Sequence, residues 1–434
     1  MPTEVEELLK LSSILIVGAG TFGCSTALHL ARRGYKNVTC LDAYPVPSAM
    51  SAGNDINKIV GCFETNGDEP LSTRERMKQE TIHLWKTDPV FNNFYHPVGM
   101  ISAANLDEPL TDTKEYNEFR IMHGFKPFKY LSNPEDFRKV LPVLTGPLKG
   151  WRGYFYDEDE PKHGWVEARN SMVAAAKEAE HLGVKFISGD DGKVEKLVVE
   201  ELTAQCIGVE TTSHKKYSAD RIVLSAGAGT DLLMDFKGQL EAKCFTLAHV
   251  FIEEEDRQKY KDLPLVFNAE SGFFFEPDPE GLMKICNEFP GYTNFDKQTG
   301  KSTPLRREAI PKEAAAGIRK FLKDTMPELA DKELLYPKIC WCTDSPDRQL
   351  IIDTHPDYEN VILATGDSGR SFNMLPIIGK YISDIITKGV KGLEAEDRRV
   401  WRWRPETSGD RDNKQSRWGG SGHVTDLGSI QDWE

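Results

Sequence analysis

The sequence predicts an α/β protein in which a mostly parallel sheet is interleaved with a smaller antiparallel one. Between Ile14 and Asp42 a strand, a glycine-rich turn, a helix, a second strand and an acid follow one another. Two later apolar runs, 221–229 and 361–366, end in glycine, as strands do where a ligand or another backbone approaches closely. Between 244 and 289 aromatic and β-branched residues surround a hairpin signal, which indicates antiparallel strands.

The first unit has the spacing of a dinucleotide-binding turn. The wholly apolar run ILIV at 14–17 leads directly into three glycines. The first allows a tight turn, the second lets backbone N–H groups approach a pyrophosphate, and the third lets the helix pack on the strand. An acid after the second strand is placed to accept a hydrogen bond from a ribose hydroxyl. The residues predicted to bind the dinucleotide here are Gly18, Gly20, Thr21, Phe22, Gly23, Asp42 and Ala43.

Composition limits the kinds of partner. A chain of 434 residues predicts two interleaved domains, and a net charge of -14 argues against nucleic acid or an anionic membrane as partner. Without a leader-like start or a long apolar stretch, we expect a soluble, intracellular, cytoplasmic protein, and the final residues QDWE are not a peroxisomal signal. The eight cysteines form neither C-x-x-C nor a cluster with histidine, so we expect no metal site and no disulfide framework.

The order of the middle elements favours FAD as the dinucleotide. A predicted helix over 165–182 is followed by a strand over 184–187 and by short alternating strands around 202–211 and 216–218. The next strand reaches two further predicted FAD contacts, Ala226 and Gly227. This order is similar to that of glutathione-reductase-like FAD-binding domains, whereas simple NAD dehydrogenases lack the short alternating strands. An NAD-dependent dehydrogenase is therefore the weaker alternative. The predicted FAD-binding domain comprises 1–90, 150–232 and 336–434, and the substrate domain 91–149 and 233–335.

Two further elements are predicted near the site. Ser72 with Glu75 three residues later has the spacing of a capping box and opens a helix over 72–86. In the hairpin, Phe273 and Phe275 share one face of the first strand, and Phe274 and Glu276 share the other, because side chains alternate along a strand. On this pattern alone, Glu276 is either a solvated edge residue or a ligand contact in an apolar pocket.

Seven motifs carry a resemblance to a known family. In chain order they read GAGTFGCSTALHLARRGY, SAGNDINK, FFFEPD, KICNEFPGY, ICWCTDSPD, ATGDSG and WRWRPE. The chain resembles fungal fructosyl amino acid oxidases (amadoriases) and fructosyl peptide oxidases, FAD-dependent amine oxidases of the monomeric sarcosine oxidase family. The resemblance implies a monomer that uses O2 to oxidise the C–N bond of an N-substituted amino acid. The implied products are H2O2 and an imine, which water hydrolyses to glucosone and an amino acid.

The resemblance also assigns roles to residues. It implies a flavin bonded to Cys340, with Cys342 as a second candidate two residues on, and it places Lys58 where oxygen reacts with the flavin. It implies that Glu276 and Arg404 hold the carboxylate and amino end of the substrate. Further residues at the cofactor would be Ser51, Asn57, Asp367, Gly369, Arg370, Ser371, Phe372 and Asn373.

One departure from the family pattern affects the substrate. Fructosyl peptide oxidases read G-H-S-F-K where this chain reads GRSFN at 369–373, so Arg370 replaces a histidine and Asn373 replaces a substrate-binding lysine. Either the positive charge has moved or the substrate differs, and both residues stay candidates for substrate binding. Oxidation of another N-substituted amino acid, such as saccharopine, sarcosine or pipecolate, remains an alternative. So do a flavoprotein dehydrogenase that passes electrons to a partner and a flavin-binding protein without turnover.

Overall fold

The computed structural model describes residues 10–62, 72–157, 162–200, 205–358, 360–411 and 423–434. Positions 202–204 of the short strand predicted around 202–211, and parts of the predicted domain segments, lie outside these ranges. The α-helices are α1 (Thr21–Arg32), α2 (Thr73–Thr87), α3 (Thr111–Met122), α4 (Pro134–Val140), α5 (Ala168–His181), α6 (Glu254–Arg257), α7 (Lys312–Thr325), α8 (Ile378–Lys388) and α9 (Ala395–Trp401). The strands are β1 (Ile14–Val17), β2 (Val38–Leu41), β3 (Asn57–Val60), β4 (Tyr95–His96), β5 (Met100–Ala104), β6 (Lys129–Leu131), β7 (Arg152–Phe155), β8 (Gly164–Glu167), β9 (Lys185–Ile187), β10 (Val194–Val199), β11 (Cys206–Thr211), β12 (Lys216–Ser218), β13 (Arg221–Leu224), β14 (Glu241–Phe251), β15 (Leu265–Asn268), β16 (Gly272–Phe274), β17 (Leu282–Thr293), β18 (Leu335–Asp344), β19 (Ile351–Thr354), β20 (Val361–Thr365) and β21 (Thr425–Asp426).

The first sheet has six strands in the order β19-β20-β13-β1-β2-β9, all parallel except the edge strand β19. Its centre is β1, whose four residues are all buried. Ile14 and Ile16 belong to the core formed with α1, α5 and α8. Leu15 and Val17 belong to the core on the other face, together with residues of the meander β10-β11-β12. A strand buried on both faces must be apolar throughout, which confirms the prediction from the run ILIV.

The glycines after β1 are required by close approach of the backbone. A Cβ atom on Gly18, whose φ is +102°, would lie 2.4 Å from the Ser225 carbonyl oxygen. A Cβ atom on Gly23 would lie 1.8 Å from the Gly18 carbonyl oxygen. These contacts confirm the tight turn and the close packing of α1 on β1 that the glycine spacing predicts.

The second sheet follows the order β18-β14-β17-β16-β15-β5-β7-β6, with β21 added beside β17. It is antiparallel except where β15 pairs with β5 and β17 with β21. One of its faces packs against α7 through Ala314, Ile318 and Phe321. By pairing, β18 belongs to this sheet, although the sequence places 336–434 with the FAD-binding domain. The domain division as a whole stays a prediction.

A small sheet, β3-β8-β4, contains Lys58. Its middle strand corrects the predicted helix over 165–182, which begins only at Ala168. Trp165 and Val166 instead pair with Ile59 and Lys58, because an aromatic and a β-branched residue suit a buried strand better than the first turn of a helix. Ser72 caps α2 as predicted, since its hydroxyl accepts a hydrogen bond of 3.3 Å from the Glu75 amide. Among the described helices, none has the combination of length and apolar character needed to cross a bilayer.

Candidate active site

A cavity of 1580 Å³ opens where the two large sheets meet. From the first sheet it is lined by Val17, Leu41 and Thr365, each at the carboxyl end of a parallel strand. From the second sheet it is lined by residues that include Phe245 and Cys340. Open α/β sheets bind their ligands at this end of the strands. The cavity also exceeds the ~300–1,000 Å³ of an ordinary small-molecule site, so there is room for a ligand larger than usual.

Most of the predicted site residues line this cavity. They are Gly18, Gly20, Thr21, Phe22, Asp42, Ala43, Ser51, Lys58, Ala226, Gly227, Cys340, Asp367, Gly369, Arg370, Ser371, Phe372 and Asn373. Gly23 and Asn57 are not part of the lining. Gly23 serves the packing of α1 on the turn, and the carbonyl oxygen of Asn57 accepts a hydrogen bond of 2.9 Å from the Lys284 ammonium. These two residues therefore contact residues of the site without lining the cavity themselves.

The end of the cavity near β1 suits the adenosine and phosphate parts of a dinucleotide. A carboxylate oxygen of Asp42 accepts a 2.9 Å hydrogen bond from the Ala19 amide, which fixes the glycine turn against β2. The other oxygen accepts hydrogen bonds from the Ser48 hydroxyl at 2.7 Å and the Tyr44 amide at 2.9 Å. Because a carboxylate accepts about four hydrogen bonds, Asp42 retains capacity for a ribose hydroxyl.

Another part of the cavity lining suits a polar ring system. Among the described residues, the hydroxyl of Thr365 and the side-chain oxygen of Asn373 are buried without a hydrogen-bond partner, and both residues line the cavity. Buried polar atoms are almost always partnered, so these two atoms indicate a ligand with polar edges. The glycine turn, Asp42 and these atoms together fit FAD.

A buried carboxylate organises the centre of the site. Asp55 is 4% exposed and receives the Lys58 ammonium at 2.8 Å and the Lys284 ammonium at 2.5 Å on the same oxygen. Burial alone would raise the pKa of Asp55, but the charges of Lys284 and Lys58 hold this pKa well below its usual value. The pKa of Lys58 is correspondingly raised, because the nearby Asp55 charge outweighs burial. Two cations therefore share one anion at the cavity wall.

Lys284 is a cavity-lining cation that sequence reasoning missed. It lies on β17 and is 1% exposed at its side chain. Its signal was a lone lysine within the apolar stretch LMKIC, since a lysine is almost never fully buried unless it is paired. The sequence does not show that Asp55, more than two hundred residues earlier, is its partner.

The two neighbouring cysteines of β18 differ in their surroundings. Both line the cavity, and Cys340 is the less buried of the two. The Cys340 sulfur lies 3.7 Å from the Lys58 ammonium. The Cys342 thiol instead donates a hydrogen bond of 3.0 Å to the Lys243 carbonyl oxygen. Cys340 is thus the thiol that combines access to the cavity with a neighbouring cation.

Glu276 is not among the residues that line the cavity, and its assignment to the substrate stays a prediction. One carboxylate oxygen accepts a 2.9 Å hydrogen bond from the Trp165 indole, and the other accepts a 2.7 Å hydrogen bond from the Asp262 amide. Strand alternation explains the result, because Phe273 and Phe275 line the cavity and Glu276 belongs to the other face. Burial raises the pKa of Glu276, although the hydrogen bonds from Trp165 and Asp262 oppose this.

Arg404 is also absent from the cavity lining, and its assignment to the substrate stays a prediction. Its side chain is 4% exposed, and its guanidinium pairs with both oxygens of Asp347 at 2.8 Å and 2.7 Å. The remaining N–H groups donate to the carbonyl oxygens of 349, 350 and 402. A guanidinium has five N–H donors, and all five are used here. Arg404 therefore fixes the loop after β18 and has no donor left for a carboxylate.

The cavity, its dinucleotide turn and the second sheet define a flavin-dependent oxidoreductase. The family model described as FAD dependent oxidoreductase matches residues 13–385, and the chain belongs to this family. This membership confirms the predicted fold class and FAD as the cofactor.

Individual relatives narrow the activity. The chain is similar to the crystal structure of the deglycating enzyme fructosamine oxidase (Amadoriase II) from Aspergillus fumigatus, with 42% identity, a TM-score of 0.89 and coverage of 98% of this chain and 97% of that one. It is 32% identical to L-saccharopine oxidase of Schizosaccharomyces pombe over 91% of this chain and 93% of that protein. It is 25% identical to monomeric sarcosine oxidase of a Bacillus species over 87% and 92%. These matches confirm the family resemblance, and FAD-dependent oxidation of an N-substituted amino acid is the function they support.

The contacts of Arg404 predict a structural effect of its removal. Arg404→Leu removes the ion pair with the Asp347 carboxylate and the donors to three carbonyl oxygens, and we expect the free energy of unfolding to fall by about 2–4 kcal/mol. The matched control is Arg402→Leu, because Arg402 is exposed, with a surface ion pair to Glu406 and one hydrogen bond to the Trp403 carbonyl oxygen. Urea unfolding of both variants measures the difference. Wild-type stability in Arg404→Leu together with weaker substrate binding would instead support its assignment to the substrate.

Proposed function

We propose that the protein oxidises fructosyl amino acids with O2. We also propose that it is a monomer, which light scattering would test, and that it is cytoplasmic, which cell fractionation would test. The proposed products are H2O2 and an imine that hydrolyses to glucosone and the free amino acid. The observation that carries this proposal is that a dinucleotide turn and an aromatic wall from the second sheet line one shared cavity. The match to a fructosamine oxidase over nearly the whole chain supports the choice of substrate.

The chain's own residues provide the setting for this chemistry. FAD, when bound, supplies the hydride acceptor and the route of electrons to O2. Gly18, Gly20 and Asp42 would hold its adenosine diphosphate half, and Thr365 and Asn373 offer polar atoms to its ring system. The substrate side is closed by Phe245, Phe273 and Phe275, which exclude water and surround the reacting carbon with apolar surface.

The positive charges at the cavity wall suit a reaction that passes through anionic oxygen. Asp55 holds the ammonium groups of Lys58 and Lys284 in place, so their charge is fixed before any reaction begins. One anion between two cations leaves a net positive charge facing the cavity. A fixed cation stabilises developing negative charge without the cost of reorienting solvent, which supports the proposed role of Lys58 at the oxygen-reactive face.

Covalent attachment of the cofactor through Cys340 is part of the proposal. The thiolate is the nucleophilic form of cysteine, and the Cys340 sulfur lies in the cavity beside the Lys58 ammonium. Cys342 is the weaker candidate because its thiol is engaged with the Lys243 carbonyl oxygen.

The proposed activity predicts peroxide formation from glycated amino acids. We expect the FAD-loaded protein to consume O2 and release an equal amount of H2O2 with fructosyl-valine or fructosyl-glycine, and to release none with free valine, which lacks the N-substituent. An oxygen electrode and a peroxidase-coupled assay measure both quantities. Peroxide from L-saccharopine or sarcosine alone would overturn the choice of substrate. Bleaching of the flavin by a fructosyl amino acid without peroxide would indicate a dehydrogenase.

The covalent link predicts where the flavin goes when the protein is denatured. After precipitation with acid, the yellow colour should remain in the pellet for the wild type and for Cys342→Ala, and it should move to the supernatant for Cys340→Ala. Absorbance of the two fractions at visible wavelengths decides the matter. The opposite pattern would assign the link to Cys342, and free flavin from the wild type would exclude a link altogether.

The charge at Lys58 predicts slow reaction with oxygen when it is removed. In Lys58→Met we expect flavin reoxidation to slow by roughly 10²-fold while flavin reduction by substrate changes little, as for other lost electrostatic contacts. Lys338→Met is the control, because Lys338 bonds to the Asn54 carbonyl oxygen and does not line the cavity. Stopped-flow measurements of flavin reduction and of flavin reoxidation give the two rates separately. Reoxidation at the wild-type rate in Lys58→Met would remove the assignment.

A further inference from the structure

A loop that follows β17 passes from the second sheet to the first beside the cavity. We call this segment, residues 294–308, the crossing loop. The Trp341 indole of β18 donates a hydrogen bond of 2.8 Å to the Leu305 carbonyl oxygen and so fixes the loop to the second sheet. The Lys301 ammonium lies 3.1 Å from the carboxylate of Asp231, which belongs to the segment after β13 of the first sheet. The crossing loop is therefore held at both sheets.

The crossing loop brings the guanidinium of Arg306 to the cavity wall. This guanidinium donates a hydrogen bond of 2.7 Å to the Glu308 carboxylate, and it also hydrogen-bonds with the side chain of Tyr44, which lines the same cavity. Glu308 and Tyr44 together raise the pKa of Arg306. The side chain of Arg306 is 53% exposed, and a guanidinium has five N–H donors, so a ligand in the cavity can reach donors that these two contacts do not use.

The neighbouring residue Arg307 has different surroundings. Its guanidinium lies 3.8 Å from the ring centre of Trp433, and it is not among the residues that line the cavity. Two consecutive arginines with the same charge thus differ in whether they reach the cavity. This difference makes Arg307 a matched control for any role of Arg306.

The glycine turn offers backbone donors to an anion from the first sheet. Helix α1 begins at Thr21, after Gly20, and has neither a side-chain cap nor an acidic residue in its first turn. Its first amides are therefore available to phosphate oxygens, which bind readily at a helix N-terminus. Gly20 and Thr21 line the same cavity as Arg306. The pyrophosphate of FAD is doubly negative, whereas these amides carry only partial positive charge.

We propose that Arg306 binds the pyrophosphate of FAD from the side of the second sheet, so that the crossing loop holds the cofactor in its cavity. A guanidinium suits this ligand because its N–H donors pair with phosphate oxygens two at a time. The contact with Tyr44 keeps Arg306 near Asp42, two residues earlier in the chain, which has capacity for the adjoining ribose. Glu308 competes with the pyrophosphate for the same guanidinium. This role concerns the cofactor and does not depend on which amine is oxidised.

The test measures how tightly the FAD-loaded protein retains its cofactor. Any covalent link is removed first, by the cysteine replacement that acid precipitation identifies, so that FAD can dissociate. We expect Arg306→Gln to raise the dissociation constant of FAD about tenfold, as measured by ultrafiltration of the FAD-loaded protein. Arg306→Lys keeps the charge but loses the planar pair of donors, and its dissociation constant should lie in between. Arg307→Gln should leave the dissociation constant unchanged.

Glu308→Gln distinguishes a phosphate contact from a structural ion pair. Because this change removes the competing carboxylate, FAD should bind Glu308→Gln as tightly as the parent protein or more tightly. A loss of affinity as large as that in Arg306→Gln would show that the ion pair merely supports the crossing loop, and it would overturn the proposal. An unchanged dissociation constant in Arg306→Gln, or an equal rise in Arg307→Gln, would also overturn it.

Discussion

The buried carboxylate of Asp55 is the interaction on which the site depends. It lies just before β3 and joins Lys58 of the small sheet to Lys284 of the large antiparallel sheet. Removing a carboxylate or an ammonium from water costs several kcal/mol per ion, so each of these groups is stable at this depth only because the others are present. Because one anion is shared by two cations, the cavity wall has a fixed positive charge. That charge is a consequence of how the sheets meet and needs no bound ligand.

The parts of the fold that follow local rules could be predicted from the sequence. The run ILIV, the glycine spacing and Asp42 lie within thirty residues, and each requirement concerns the immediate backbone. The hairpin alternation also held, with Phe273 and Phe275 on one face and Glu276 on the other. The sequence could not determine which face looks into the cavity, because α7, contributed by a later segment, covers the face of Phe274.

What the sequence could not show concerns partners that are distant in the chain. Arg404 lies in a run of tryptophans and arginines, a composition that fits either a ligand contact or a solvated surface. Only the fold shows that Asp347 and three carbonyl oxygens accept hydrogen bonds from all its N–H groups. Lys284 was overlooked for the same reason, since its burial as a cation at the cavity wall depends on its ion pair with Asp55. The strand at Trp165 was predicted as helix because its pairing partner, β3, lies a hundred residues earlier. Local pattern was overridden by tertiary pairing in each case.

The glycine turn and Cys340 come from different sheets, with different hydrophobic cores behind them. A ligand that contacts both therefore links the two sheets, and its binding energy adds to the free energy of unfolding of the protein. The phenylalanines that line the space would otherwise be left facing water. In a cell short of riboflavin, chains without FAD would lack this stabilisation and unfold more often, so we expect proteases to degrade them sooner than FAD-loaded chains.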